Sequence, residues 1–519
     1  MKISYIAHAS LLLETEDATV VTDPWYKGPA FHNQWHVFPK PVNIDFTNRV
    51  THVVLTHGHE DHFHLPTLEL INKEAQVYYP YIWKSGAVKK LKKTGFKDIT
   101  EVSGFNTVVL GENFTATYII SGLDAITVYE YGGTVIVNLN DALNSLNKNF
   151  IQLFSEIIRK KWPSIDYLVC GMGGAGYFPN TIHTPYKNDR ETAILRERFL
   201  AHKFCELVQA FEPRNVIPFV PGFALLEESK QWINEIKFSR NRLDQYYREN
   251  FNSKSKIKFL NLLPGDYIEK GNWVKASPYH LEIKNDNLSH LVREQYAEEI
   301  EFCKQFEMKP ASIVNELSIG LNSILSVSTA DISNELLRKL NFAIAFKDVK
   351  LERYIHVYCD TGKMIAEPVE KLPAAAILKI TTHTWKLDYA IKNEWGGDIF
   401  FIGYGADIDI IDQSCLNDNL DIISIRLLSR FPSATYHMLR EPFRAIQYLA
   451  SNFEFVYLTL AQKLATKGNP NKIEYNERSI WINKTKADVC RLCKIPLLSE
   501  ESAKKLVPVK PVPLQLINH

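Results

Sequence analysis

Residues Thr51 to Pro66 read THVVLTHGHEDHFHLP, and the rest of the chain is organised around them. Val53, Val54 and Leu55 form a short apolar run of the kind that makes a buried strand. Directly after it come His57, His59, Asp61 and His62, with His64 beyond. On extended backbone, residues two apart point to one side, so His57 and His59 can grip one cation. Asp61 and His62 fall where the chain turns toward a helix holding Pro66, Leu68 and Leu70, and can face a second cation. Imidazole nitrogen with carboxylate oxygen and no thiolate suits zinc, iron or manganese. The bland alternative, a solvated histidine cluster, leaves the strand–loop–helix setting unexplained.

At 519 residues the chain is longer than one core usually serves, which implies two or three domains. With 45% hydrophobic and 23% charged residues it has the composition of a globular protein. The net charge of +1 gives no global field for nucleic acid or an anionic membrane. Seven scattered cysteines argue for reduced thiols and a cytoplasmic setting. His8 and Ser10 interrupt the apolar N-terminus, which reads as a hairpin and not a signal peptide. No apolar run is long enough for a membrane span.

Strand and helix patterns alternate after the metal loop: Gln76–Tyr79, a basic helix near Lys84–Lys93, then strands near Asn106–Leu110, Thr115–Ile120, Ile126–Tyr131 and Val135–Leu139. The stretch before the metal loop, DPWYKGPAFHNQWHVFPKP from Asp23, is too rich in Pro and Gly for a regular element, so it is a pocket-lining loop. Within it, His32 and His36 are four apart and suit substrate contact or aromatic packing better than a ligand pair, and Trp25, His32 and, beyond the loop, His64 are candidates for supporting the metal ligands or contacting substrate. Gly171 to Gly176 matches a dinucleotide-binding pattern after the strand Ile165–Cys170, but Tyr177-Phe178-Pro179 follows where a helix should open. That string reads better as a loop beside the metals, able to hold a substrate anion on its N–H groups. A helix over Arg190–Phe211 and a strand over Asn215–Val220 come next.

The expected organisation is residues 1–280 as the metal-bearing domain, 281–310 as a helical connector, 311–430 as an α+β domain and 431–519 as a helical segment with a Pro-rich tail. In the third part, strands are expected at His356–Cys359 and Asp398–Ile402, and helices at Asn334–Leu340 and Pro373–Ile380. The segment Leu378–Asp407 resembles sterol-carrier-like modules in composition only. Cys490-Arg-Leu-Cys493 lacks the second pair that a zinc site needs.

The order H-x-H-x-D-H after a strand resembles the metallo-β-lactamase superfamily. The resemblance implies an α/β fold, an αββα sandwich followed here by an α+β region. It also places Asp23 beneath the metal loop, where a carboxylate can take the free N–H of a ligating imidazole; the alternative is an Asp-Pro turn. Asp141, ending an apolar strand, fits the bridging carboxylate that the superfamily carries. Two customary histidines are missing. None lies between His64 and His183, where Asp124 is the nearest oxygen donor, and none lies at Pro218 to Gly222. His8 and His183 are the substitutes to test. Asp61, Tyr177 and His183 are the candidate catalytic side chains.

Three strings narrow the likeness: DPWYKGPAF with the later Trp35, THGHEDH, and GGAGYFP followed by PRNVIPF. Together they resemble the metallo-β-lactamase-like part of the CMP-N-acetylneuraminate hydroxylases. That family implies an iron-dependent oxygenase fed by a Rieske cluster. No cysteine here has a histidine two or three residues after it, so this chain has no Rieske pair and electrons would come from a separate ferredoxin or reductase. The leading expectation is a pair of irons hydroxylating a polar small molecule, with no nucleic acid involved. A zinc or manganese hydrolase of an ester, lactone or phosphodiester is the alternative, and a binding protein with a decayed site is the third.

Overall fold

The computed structural model describes residues 1–453 except 144–147, 185–188, 220–221, 238, 285–286 and 431–433, together with 455–457 and 460. Three large sheets organise the described residues. The first has eight strands in the order Asn272–Val274, Tyr267–Glu269, Lys2–Ala7, Ser10–Glu14, Thr19–Thr22, His52–Val54, Gln76–Pro80 and Ile99–Val102. Its opening strands form an antiparallel meander, and the last four run parallel, with Val53 opposite both Val21 and Val77. Central parallel strands are covered on both faces, which is why they read as unbroken apolar runs.

The second sheet has seven strands, from Lys258–Phe259 through Asn215–Phe219, Tyr167–Gly171, Thr134–Asn140, Asp124–Tyr131 and Phe114–Ser121 to Thr107–Gly111. One core joins the facing surfaces of the two sheets, with Tyr5, Leu11 and Val53 packed in the same cluster as Tyr118, Ile136 and Val169. The outer face of the second sheet is covered by the helices Lys148–Lys161, Asp189–Phe211 and Leu243–Asn250. Leu91, the buried residue of the helix Gly86–Lys93, joins the core of the first sheet. The result is the αββα sandwich that the motif implies.

The third sheet runs Ile182–His183, Asp407–Ile410, Leu378–Thr382, Asn341–Phe346, Tyr354–Asp360, Lys363–Val369. The helices Ile313–Ser328 and Thr384–Lys392 pack on it through Leu321 and Leu387. Its first strand comes from the loop after Gly171, so residues near 182 leave the sandwich and extend this sheet.

Two elements differ from expectation. Asp398–Phe401 is a helical turn, not a strand, because Gly396 and Gly397 fold the chain back before it. Leu378–Thr382 is a strand, not the end of a helix, since it pairs in parallel with Asn341–Phe346 at the centre of the sheet. The connector is helical at Leu288–Gln295 and Ala297–Lys304, and it packs Leu291, Tyr296 and Ile300 against Phe38 and Leu226. Cys490, Cys493 and the Pro-rich tail lie outside the described residues. Among the described residues, no helix is long and apolar enough to cross a membrane.

Candidate metal centre

Strand ends and tight turns from both sheets meet at one edge of the sandwich. The parallel strands Thr19–Thr22 and His52–Val54 end there in Asp23 and the His57-to-His62 loop. From the second sheet come Asn140 and Asp141 at the end of Thr134–Asn140, and Asp124 after the turn that follows Ser121. The two-residue turn between Lys2–Ala7 and Ser10–Glu14 contributes His8, at a φ of 47°.

His62 is the centre of the group. It is fully buried, and its Nε2 lies 3.2 Å from Asp61 Oδ2 and 3.4 Å from Asp141 Oδ2 with no hydrogen bond of its own. His57 Nε2 faces His59 Nδ1 at 2.9 Å, ring planes perpendicular. Burial holds His57 near 4, so its imidazole is neutral and keeps a lone pair. Burial also opposes charge on His62, yet Asp61, Asp141 and Asp23 together hold it well above the usual histidine range. Asp61 is held well below the usual carboxylate range by His62 and His8, against the effect of burial. Asp124 stands 3.8 Å from His57 Nδ1, its carboxyl pushed up to about 6, mainly by burial.

Beneath the loop, Asp23 is fully buried and accepts from Thr56 N (2.8 Å) and Thr56 Oγ1 (2.7 Å). The Asn140 amide nitrogen donates toward Asp23 and Thr56 Oγ1 (2.8 Å), and faces His62 Nδ1 at 3.1 Å. Asp23 Oδ2 is 3.5 Å from the same imidazole nitrogen. This brace holds the His62 ring so that Nε2 points into the cluster, the role that carboxylates beneath ligating imidazoles commonly play. Asn140 was not singled out from sequence; its place immediately before Asp141 was the available signal.

His8, expected as a substitute for a missing histidine, stands against Asp61. Gly222 N donates to His8 Nδ1 (3.2 Å), which leaves the proton on Nε2 to donate to Asp61 Oδ2 at 2.9 Å. In this arrangement His8 orients Asp61.

The remaining candidates separate. Trp25 is fully buried with its ring 5.0 Å from His8, and His64 is fixed by Thr67 Oγ1 (3.0 Å) and Pro29 O (3.1 Å). His32 stacks on Tyr389 at 3.8 Å, so it packs aromatically against the C-terminal half. Tyr177 and His183, expected as catalytic, are not at the centre. Tyr177 donates to Asp421 Oδ2 (3.0 Å) and His183 Nε2 lies 3.2 Å from Asp407 Oδ1, because their loop is drawn onto the third sheet. Gly171 to Gly176 opens no helix, and Arg196 Nη2 donates to Ala175 O (2.8 Å). A cavity of about 420 Å³ reaches the aromatic loop at Asn33 and Gln34, but the metal-centre residues do not line it.

Two trios offer one donor atom each within 4.8 Å, namely His8 with Asp61 and His62, and His57 with His62 and Asp141. The second trio passes a chemical test for a metal, since it holds a buried imidazole nitrogen that makes no hydrogen bond, with neutral and anionic donors around it.

With sandwich and cluster in place, the class is defined: residues 2–155 match the family described as "Beta-lactamase superfamily domain", and the chain carries a metallo-β-lactamase superfamily domain. Its particular relatives include the cytidine monophosphate-N-acetylneuraminic acid hydroxylase of Danio rerio, 24% identical over 252 residues, covering 45% of this chain and 40% of that protein. The inactive form from Homo sapiens is 24% identical over 302 residues, covering 53% of this chain and 55% of that protein. The chain thus spans about half the length of these curated relatives. Among solved structures it is similar to a point mutant of the CmlA beta-hydroxylase, at 18% identity and a TM-score of 0.33, covering 50% of this chain and 52% of that one. It is also similar to an isothiocyanate hydrolase from Delia radicum gut bacteria, at 15% identity and a TM-score of 0.34, covering 52% and 98%.

Proposed function

We propose that this domain is a metal-dependent oxygenase, with a pair of irons held by His57, His59, His62, Asp61, Asp141 and Asp124, hydroxylating a polar small molecule. The observation that supports it most is the buried Nε2 of His62, which makes no hydrogen bond although it is set between the carboxylates of Asp61 and Asp141. Three carboxylates and a hydroxide would offset two dications, and hard oxygen donors suit iron at high charge. Iron bound there would supply oxygen chemistry that side chains lack. The chain's own residues do the rest. Asp23 and Asn140 orient His62, His8 orients Asp61, and Trp25 packs against His8 on the buried side. Electrons come from a separate donor.

A zinc or manganese hydrolase is the second reading. It is favoured by the His57–His59 pair, whose facing nitrogens at 2.9 Å suit one metal alone. Protein purified anaerobically with iron, zinc and manganese supplied, then assayed for metal and by Mössbauer spectroscopy, separates the two. Stoichiometric iron, lost in His62→Ala, and oxygen-dependent turnover only with an added reductase are expected. Zinc alone with oxygen-independent cleavage would replace this reading with the hydrolase, and no retained metal would remove both.

A further inference from the structure

The most exposed large apolar side chain among the described residues is Phe443, at 87%. It belongs to the helix Pro442–Ser451, where Ile446 is 64% exposed, and Leu439 on the preceding helix Ala434–Arg440 is 77% exposed. Phe453 and Tyr457 continue the apolar surface, stacked 6.1 Å apart. The inner side of this helix is firmly held. Tyr448 is buried and donates to Gly122 O (2.9 Å), Arg444 donates to Ile82 O (2.6 Å) and pairs with Glu101, and Tyr81 donates to Gln447 Oε1 (3.0 Å). The outward direction of Phe443 and Ile446 is therefore set by packing on the other side.

Beside it lies the basic helix Gly86–Lys93, joined at its start by Ser85 Oγ donating to Glu441 Oε1 (2.9 Å). Lys89, Lys90, Lys92 and Lys93 are exposed, and among the described residues no carboxylate pairs with any of them. The whole chain carries only +1, so this is a local excess of positive charge. Exposed Phe, Leu and Ile next to unpaired ammonium groups match the boundary between water and an anionic bilayer: apolar side chains enter the headgroup layer while lysines meet lipid phosphates. A helical partner would leave the neighbouring lysines without a counter-charge, whereas an anionic surface meets both the apolar side chains and the ammonium groups.

We propose that this face docks the protein on anionic lipid bilayers, with Leu439, Phe443 and Ile446 inserted and Lys89, Lys90, Lys92 and Lys93 held against the phosphates. The test is sedimentation of the full chain with vesicles of phosphatidylcholine alone or with about one-third phosphatidylglycerol. Binding to the mixed vesicles only, released by high salt, is expected. The combined Lys89→Glu, Lys90→Glu, Lys92→Glu and Lys93→Glu variant should lose at least about tenfold in binding. A Phe443→Ser, Ile446→Ser variant should also lose binding while keeping its metal content and melting temperature. No binding of the full chain to mixed vesicles overturns the proposal, as does binding that survives both sets of changes. Binding that needs the lysines but ignores Phe443 and Ile446 overturns insertion. A dimer abolished by Phe443→Ser, without vesicle binding, would assign the face to a second copy of the chain.

Discussion

Gly222 has no room for a side chain, since a Cβ there would stand 2.7 Å from His8 Cα, a backbone atom that cannot swing aside. His8 depends on that closeness, because Gly222 N–H sets which of its nitrogens carries the proton. Gly222→Ala should therefore displace His8, free Asp61 and weaken metal binding by about 10- to 100-fold, as loss of supporting partners commonly does. A competition titration with a chromophoric chelator measures this, and unchanged affinity would sever His8 from the centre. Tyr177 gives the opposite expectation. Tyr177→Phe removes a buried hydrogen bond to Asp421 and should cost about 1 kcal/mol in a urea melt while leaving metal content unchanged. Depleted metal in that variant would mean Tyr177 reaches the centre after all. The contiguous motif from His57 to His62 was legible because one loop carries it. The contact of His8 with Asp61 was not, for 53 residues separate them.

Periodicity located most elements of the sandwich to within a few residues, because each strand there has an apolar run bounded by turns. The expected helix Arg190–Phe211 is present as Asp189–Phe211, with Phe204 buried against the second sheet. Phe204→Ala should cost about 3 to 5 kcal/mol, read as a lower urea midpoint with an unchanged slope. A loss below about 1 kcal/mol would mean that the helix is not a structural wall of the sandwich. The third sheet was less legible. Pro-Ala-Ala-Ala before Ile377 has helical propensity, yet a central place between two strands decides otherwise. Asp398 to Ile402 reads as a strand from Ile and Phe, while hydrogen bonds from Phe401 N to Gly397 O and Ile402 N to Asp398 O close it into a turn.

The sandwich and the third sheet are joined by a cluster of ion pairs. Glu227 accepts from Lys347 (2.9 Å) and Lys386 (2.8 Å), and Asp407 accepts from Lys347 (2.9 Å) and Lys230. Burial pushes the Glu227 carboxyl up, but Lys386, Lys347 and Lys230 outweigh it and hold the group well below its ordinary value. Asp407 is depressed likewise by His183, Lys230 and Lys347. Depressed carboxylates contribute stability that is present above their unfolded pKa of about 4 and lost as pH falls from there toward the folded value. Glu227→Gln strands a buried Lys386 and should cost about 3 kcal/mol at neutral pH. Its stability should also fall less than the parent's below about pH 4. Equal slopes in that acid range, by urea melts, would mean that the cluster does not join the two parts.

By itself the sequence carried the superfamily likeness of the N-terminal part and the donor-rich loop, because such a motif is local: the strand, the loop and four donors lie within a dozen positions. Only the tertiary structure decided which distant groups converge. Gly222 placing His8, Asn140 beneath His62, and the withdrawal of Tyr177 and His183 onto another sheet all depend on strands brought together across the chain. Pairing between remote strands leaves no periodic trace in either partner.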